Sequence, residues 1–220
     1  MGKSTSAQLL GRDHGYVYYE ADCFTRLCNP YVPLNVDNPS LAQVNQKILR
    51  GPGAEERKAM IERTNSMWRD VMAGKELNTE LMLEFYEHLA LDIRREKKRI
   101  GGDFAIATFI LKREAREHIR KILGPDLIIV ILSMSQEERR ERVLIRHPGD
   151  QATADRMDVS LQLNIYNVVF TEIIQFFANL MDGLEESEPN TVQVNISRNM
   201  NRTEVVDLIL RQIRQVERQA

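Results

Sequence analysis

The chain alternates short apolar runs rich in β-branched residues with longer stretches in which apolar residues recur at helical spacing. This alternation predicts an α/β protein with a parallel sheet, because parallel strands are joined by helical crossovers. The run Leu-Ile-Ile-Val-Ile-Leu at 127–132 has no polar alternation, as expected for a strand covered on both faces. Strands are predicted over 16–19, 104–109, 127–132 and 191–196.

Capping residues mark several helix ends. Ser135 followed by Glu138 is a capping-box pattern, in which each side chain satisfies a backbone donor at the start of a helix. Asn78 is placed to cap a helix that ends in the cationic run 94–99, where positive charge complements the helix dipole. Shorter or later helices are predicted over 6–10 and 203–213.

A long stretch of about eighty residues separates the first two predicted strands, which exceeds a plain crossover. Pro and Asn residues cluster over 29–39, and Gly51-Pro52-Gly53 separates helical segments. We therefore expect a helical insert over about 29–73, packed on the edge of the sheet. The chain as a whole, 1–220, is predicted to be a single domain that contains this insert.

Composition argues against several classes of function. Thirty Lys and Arg residues oppose 32 Asp and Glu residues, giving a formal net charge of -2 without the basic excess of a nucleic-acid binder. The longest apolar run is far shorter than the about 20 residues of a membrane-spanning helix. Two cysteines, Cys23 and Cys28, are too few for a disulfide scaffold, and no secretory signal is recognised. We expect a cytoplasmic protein that binds neither nucleic acid nor membranes.

The chain opens Met1-Gly2-Lys3-Ser4-Thr5, and Gly-Lys-Ser/Thr is the second half of a phosphate-binding loop. In such loops the backbone amides at a helix N-terminus surround a phosphate chain. The lysine reaches the outer phosphates and the hydroxyl binds magnesium. Taken alone, these residues are weak evidence, and an ordinary polar N-terminus is the favoured interpretation.

Two carboxylates, Glu20 and Asp22, follow the first predicted strand. Functional residues of a parallel sheet collect at the carboxyl ends of its strands. Carboxylates at that edge can hold magnesium or its waters and orient a substrate hydroxyl. The simpler alternative is that both residues cap a helix or lie solvated in a loop.

Cationic residues follow the next strands. Lys112 and Arg113 come after the second predicted strand and would face the same edge. A helix N-terminus disfavours cations, so their position favours a function over the alternative of a solvated first turn. Beyond the third strand, a helix carries Arg146 near its end, and a polar loop over 147–156 ends in Arg156.

Together these motifs resemble the small P-loop kinases of metabolites, particularly the gluconate and shikimate kinase branch of the adenylate-kinase-like fold. The resemblance rests on the opening motif, on Tyr-Glu-Ala-Asp at 19–22, on Leu-Lys-Arg-Glu-Ala-Arg at 111–116 and on the arginines of 142–146 before a lid loop. It extends to the last strand and helix, whereas residues 26–100 diverge from gluconate kinases. It implies a three-layer P-loop kinase fold with a parallel sheet, the helical insert and a lid loop at about 147–156.

The resemblance implies a nucleotide site. Gly2, Lys3, Ser4 and Thr5 would bind the phosphates of ATP, with Lys3 neutralising their charge and Ser4 binding magnesium. Arg146 would stack on the base, since guanidinium planes stack on aromatic faces.

The resemblance also implies a catalytic and acceptor site. Asp22 would bind magnesium or its water and position the acceptor hydroxyl, with Glu20 also contacting the substrate. Lys112 and Arg113 would grip the substrate or the transferring phosphoryl group. Arg156 would be the catalytic lid arginine, which stabilises charge on that group when the lid closes.

The implied activity is the transfer of a phosphoryl group from ATP, with Mg²⁺, to a hydroxyl of a small polar metabolite. A nucleoside or nucleotide kinase is the nearest alternative, favoured by the long insert over 26–100. A truncated, non-catalytic interaction protein is the alternative from another class, because the strand and first glycine of the loop would precede Met1. That strand is central in the family's sheet, so without it two strands would face an unfilled gap, and we expect the sequence to be a piece of a longer kinase. The acceptor and a homodimeric state stay open.

Overall fold

A computed structural model describes residues 2–21, 31, 53–72, 75–108, 112–135, 137–138 and 188–218. The chain forms two compact units, the first made by Gly2–Asp70 with Glu76–Leu127, and the second made by Ile128–Ala220 with Val71–Lys75 and Met1. The predicted site residues Asp22, Arg146 and Arg156, and the predicted lid loop, lie outside the described residues.

The first unit contains a parallel pair of strands and the helices that cover it. Strand β1 pairs with β2, with Val17 opposite Phe104 and Glu20 opposite Ala107. The first helix is longer than the predicted 6–10, because it begins directly after Gly2 and ends at Gly15. The elements are α1 (Lys3–His14), β1 (Val17–Glu20), α2 (Ala54–Met72), α3 (Thr79–Ile100), β2 (Phe104–Ala107) and α4 (Arg113–Leu123).

Helix α1 packs against both strands of this pair. Gly15, with a φ of 78°, ends the helix and reverses the chain into β1. At Gly11 the helix lies so close to β1 that a Cβ atom would be 3.1 Å from Cβ of Tyr18. Since α1 and β1 run in opposite directions, the N-terminus of α1 lies at the carboxyl end of β1.

The two faces of β1 have different environments, because successive strand residues point to opposite sides. Tyr18 contacts α1 through Gly11, and its hydroxyl donates to Oε2 of Glu20 at 2.9 Å. Tyr19 points to the other side and is fully buried in the main hydrophobic core. Its ring lies 6.3 Å from the ring of Phe104 on β2. Glu20 therefore shares the α1 face with Tyr18, and Tyr19 faces α3.

The predicted ends of α3 are confirmed. The side chain of Asn78 accepts a hydrogen bond from the Leu81 amide at 2.9 Å, and the last turn carries Lys97, Lys98 and Arg99. Its buried face supplies half of the buried residues of the main core, namely Met82, Phe85, Tyr86, Leu89, Ala90 and Ile93.

Ion pairs join α2 to α3 and show that the two helices run in opposite directions. Near the start of α2, Arg57 reaches Asp92 at 2.8 Å, and one to two turns later Arg63 reaches Glu84 at 2.5 Å. Later residues of α2 thus meet earlier residues of α3. The described part of the predicted insert is this α2 helix together with Tyr31.

The second unit holds the other parallel pair. Strands β3 (Ile129–Ser133) and β4 (Thr191–Asn195) pair with Ile129 opposite Thr191, and α5 (Arg202–Glu217) packs on β4. Interleaved helices and parallel strands confirm the predicted α/β class, and each observed strand end lies within two residues of the predicted one. In the described ranges the strands form two two-stranded sheets, and no ladder joins β2 to β3.

In this unit, side-chain hydrogen bonds follow the end of β3 and cap the start of α5. One half of the predicted capping box is observed, because the Glu138 amide donates to Oγ of Ser135 at 3.3 Å. The Glu138 carboxylate accepts from the Ser135 hydroxyl at 2.7 Å. Glu138 also accepts from the Arg198 amide at 2.7 Å. Asn201 and Glu204 form a complete capping box at the start of α5. Among the helices of the described segments, none has the length and apolar character needed to cross a membrane.

Thr64 provides a test of packing in α2. Its side chain is fully buried, and Oγ1 has no hydrogen-bond partner among the described residues. A buried, unpaired hydroxyl costs about 1–3 kcal/mol, so Thr64→Val should raise the free energy of unfolding by about 1 kcal/mol. Urea denaturation measures this, with the exposed Thr203→Val as a control that changes stability by less than about 0.5 kcal/mol. A Thr64→Val protein no more stable than the wild type would contradict the packing.

The buried Arg57–Asp92 pair should behave unlike a surface pair. Asp92→Ala leaves the Arg57 charge buried and should lower the free energy of unfolding by about 3–5 kcal/mol. The double variant Arg57→Met/Asp92→Leu should lose less, because it removes both buried charges. Losses in the control Glu84→Ala, which removes the partner of the exposed Arg63, should stay below about 1 kcal/mol. Equal losses in the single and double variants, measured by urea denaturation, would argue against a buried pair.

Candidate functional site

Most of the described site candidates lie at one end of the β1–β2 pair, here called the carboxyl edge. It comprises the first turn of α1, Glu20 at the end of β1, and the start of α4, which follows β2 after five residues, 108–112. Helix N-termini and strand carboxyl ends meet here, as in other parallel α/β sheets. The pairing of Glu20 with Ala107 therefore brings together residues that lie far apart in the sequence.

The first turn of α1 offers backbone donors. Gly2 has a φ of 86°, a conformation that favours glycine, and no side chain caps the helix. The first intrahelical bond runs from the Ser6 amide to the Gly2 carbonyl at 2.8 Å. The preceding amides of Lys3, Ser4 and Thr5 have no acceptor inside the helix. With no acidic residue in this turn and Lys3 exposed, the turn is suited to bind an anion.

Glu20 is a buried carboxylate, only 2% exposed. It accepts a hydrogen bond from the Tyr18 hydroxyl at 2.9 Å. It therefore differs from the solvated loop carboxylate that was the simpler expectation. A carboxylate held out of water at a strand end needs such donors.

The predicted cations of α4 are placed differently from one another. Lys112 is the N-cap residue of α4 and makes no capping hydrogen bond with its side chain. Arg113, immediately after it, reaches Glu117 one turn later at 2.8 Å. This ion pair along the helix surface fits the solvated first turn for Arg113 better than it fits a grip on substrate.

Sequence reasoning missed Arg116, which is 1% exposed and lies on the buried face of α4 with Ala115 and Ile119. A fully buried guanidinium close to a helix N-terminus is unfavourable unless it is compensated. The sequence indicated this position, because Arg116 follows Ala115 and lies one turn before Ile119, and these two apolar residues mark the buried face of a charged helix.

Behind Tyr19, on the α3 face, lies a buried polar cluster. The Tyr19 hydroxyl donates to Oδ2 of Asp92 at 2.6 Å. Arg57 donates to both oxygens of the same carboxylate, with Nη2 at 2.8 Å from each. Arg57 is 6% exposed and Asp92 2%. Tyr31 extends the cluster by donating to Glu96 and by packing edge-to-face on Tyr19, with ring centroids 5.8 Å apart.

Two groups of this cluster have shifted pKa values. Burial, reinforced by the hydrogen bond to the Glu96 carboxylate, raises the pKa of Tyr31 well above its usual range. Burial alone would also raise the pKa of Glu96. Hydrogen bonds from Arg99 and Tyr31, with the charges of Arg99 and Arg57, outweigh burial and lower the pKa of Glu96.

The described residues include no group of three or more His, Cys, Asp and Glu side chains arranged to hold a metal ion. Magnesium does not require such a group, because it is commonly held by one or two carboxylates, substrate phosphates and water. Ser4 at the first turn of α1 and Glu20 at the end of β1 supply oxygens of the type that it binds.

Comparisons with known proteins give no relative for this chain. No protein-family model matches it, no curated protein matches it, and no solved structure matches it.

The lowered pKa of Glu96 predicts a pH dependence of stability. A carboxylate with a lowered pKa stabilises the fold above its ordinary value of about 4.3, and this contribution is lost as pH falls through the lowered value. The difference in unfolding free energy between wild type and Glu96→Gln should be constant from pH 7 to about 5 and shrink below that. Urea denaturation between pH 7 and 3 measures it. A difference that grows on acidification would show that Glu96 is not stabilised in its charged form.

Proposed function

We propose that this protein is an ATP- and Mg²⁺-dependent kinase that phosphorylates a hydroxyl of a small polar metabolite. The observation that carries the proposal is the meeting of two features at the carboxyl edge. The Gly2-Lys3-Ser4-Thr5 turn begins α1 there, and the buried carboxylate of Glu20 ends β1 there. Phosphoryl transfer needs this combination of phosphate donors and a positioned carboxylate.

The first turn of α1 is the proposed phosphate site. Its unbonded amides and the positive end of the helix dipole attract negative charge. Lys3, exposed at the same turn, would neutralise the outer phosphates. Ser4 would bind Mg²⁺, which when bound neutralises the phosphate charge that develops during transfer.

The acceptor site is proposed beside Glu20. A carboxylate there can accept the proton of an attacking hydroxyl or orient that hydroxyl towards the phosphate. Asp22, two residues further on, is proposed for the same role and for magnesium. Lys112 remains a proposed substrate contact, and Arg146 and Arg156 are proposed for base stacking and for lid closure as the kinase resemblance implies.

The strand pairing supports a kinase-like sheet. The kinase resemblance implies a parallel sheet. Both described strand pairs, β1 with β2 and β3 with β4, are parallel. A cytoplasmic location and binding of neither nucleic acid nor membrane belong to the same proposal.

A nucleoside or nucleotide kinase is the second candidate. It is favoured by the α2–α3 hairpin, because Arg57 and Asp92 attach this helical insert directly to Tyr19 at the end of β1. An insert fixed beside the carboxyl edge is placed to contribute to an acceptor site. A screen of sugar acids against nucleosides and nucleotides, with MgATP as donor, distinguishes the two candidates.

Removal of the Lys3 charge tests the proposal directly. Lys3→Ala should weaken MgATP binding by about 10- to 100-fold, because charge-assisted hydrogen bonds contribute about 1.5–3 kcal/mol. Isothermal titration calorimetry measures the affinity. Lys98→Ala, at an exposed lysine of α3, is the matched control and should bind as the wild type does.

Equal affinities in Lys3→Ala and Lys98→Ala would reject the proposed phosphate site. Absence of MgATP binding by the wild-type chain would reject it as well. Either result would favour the interaction-protein alternative, for which the oligomeric state by light scattering is the next measurement.

A further inference from the structure

The buried cluster of Arg57, Asp92 and Tyr19 is connected to the carboxyl edge, because Tyr19 belongs to β1. Asp92 receives the Tyr19 hydroxyl at 2.6 Å, and Tyr19 precedes Glu20 along β1. Three elements therefore meet at one carboxylate, with Arg57 from α2, Asp92 from α3 and Tyr19 from β1. We propose that Asp92 and Tyr19 are positioning residues, which fix the end of β1 and thereby place the Glu20 carboxylate at the candidate site.

Burying the Arg57–Asp92 ion pair costs free energy of desolvation. Asp92 and Arg57 are nearly fully buried, and a buried ion pair is often no more stabilising than apolar residues of similar volume. Its benefit is geometric, because a carboxylate that accepts hydrogen bonds from the guanidinium groups of Arg57 and Arg95 and from a phenol has one orientation. The Tyr19 hydroxyl is thereby held in a fixed position.

Tyr19 and Glu20 share the backbone at the end of β1. Tyr19 and Glu20 are adjacent and point to opposite faces of β1, so one fixes the backbone from which the other projects. Pairing with β2 aligns Glu20 with Ala107 but ends there, which leaves the last residue of β1 in need of side-chain support. Tyr19 supports it through Asp92 on the α3 face, and Tyr18 supports the Glu20 carboxylate directly on the α1 face.

The same contacts connect helix α2 of the insert to the end of β1. Arg57 joins α2 to both carboxylate oxygens of Asp92. A shift of α2 would therefore act on Asp92 and, through Tyr19, on Glu20. The proposal assigns the insert a second task beyond any acceptor contact, which is to set the position of the candidate catalytic carboxylate.

The catalytic role of Glu20 in this inference rests on the proposed kinase function. The link from Asp92 through Tyr19 to the position of Glu20 does not rest on it. The link can be measured without ATP or an acceptor, so its failure is distinguishable from a failure of the Lys3 test.

Tyr19→Phe removes one hydroxyl and keeps the ring in the core and Asp92 paired with Arg57. The matched control is Tyr31→Phe, which removes the hydroxyl that donates to Glu96, another carboxylate of α3. Tyr18→Phe, which removes the direct partner of Glu20, is the positive reference. Protein carrying ¹³C-labelled glutamate reports the carboxyl carbon of Glu20 by NMR at pH 7, with Glu20→Gln used to assign the signal.

We expect Tyr19→Phe and Tyr18→Phe to shift the Glu20 carboxyl signal, and Tyr31→Phe to leave it at its wild-type position. We also expect amide hydrogen exchange over 17–21 to rise about tenfold more in Tyr19→Phe than in Tyr31→Phe, since local opening follows the loss of a local hydrogen bond.

An unchanged Glu20 signal in Tyr19→Phe, alongside a shift in Tyr18→Phe, would overturn the proposal. Exchange over 17–21 that rises equally in Tyr19→Phe and Tyr31→Phe would overturn it too, because a uniform rise reports only lower global stability.

Discussion

The first unit depends on one buried carboxylate. Asp92 accepts hydrogen bonds from Arg57 and from Tyr19, and so joins α2, α3 and β1 in a single contact. Its charge is out of water, where it is tolerated only because these donors surround it. The apolar core around Tyr19 excludes water from the contact. Hydrophobic packing supplies the burial, and Asp92 links the three elements within it.

The same constraint links fold to candidate chemistry. With Tyr19 held on the α3 face, Glu20 must lie on the α1 face, where Tyr18 donates to it. The close approach at Gly11 brings α1 onto that face and sets its first turn at the same end of the strands. The first-turn amides of α1 and a buried carboxylate therefore share an edge because of backbone geometry.

Local features were predictable from the sequence, and long-range ones were not. Asn78 and the Ser135–Glu138 pair cap helices through neighbours three residues away, so their spacing alone identifies them. Arg57 gave no such signal, because its partner Asp92 lies 35 residues further along the chain. In an isolated helix both look like solvated charges. The burial of Glu20 likewise depends on how α1 packs on β1, which no local pattern encodes.

The most direct measurement of the central claim is a map of amide chemical shifts on adding a non-hydrolysable MgATP analogue to ¹⁵N-labelled protein. The account predicts large, saturable shifts for the amides of Lys3, Ser4 and Thr5, with a smaller response at Glu20. These amides have no acceptor inside α1 and would donate to phosphate. Saturable shifts confined to other parts of the chain, or no shifts at all, would contradict a phosphate site at the carboxyl edge.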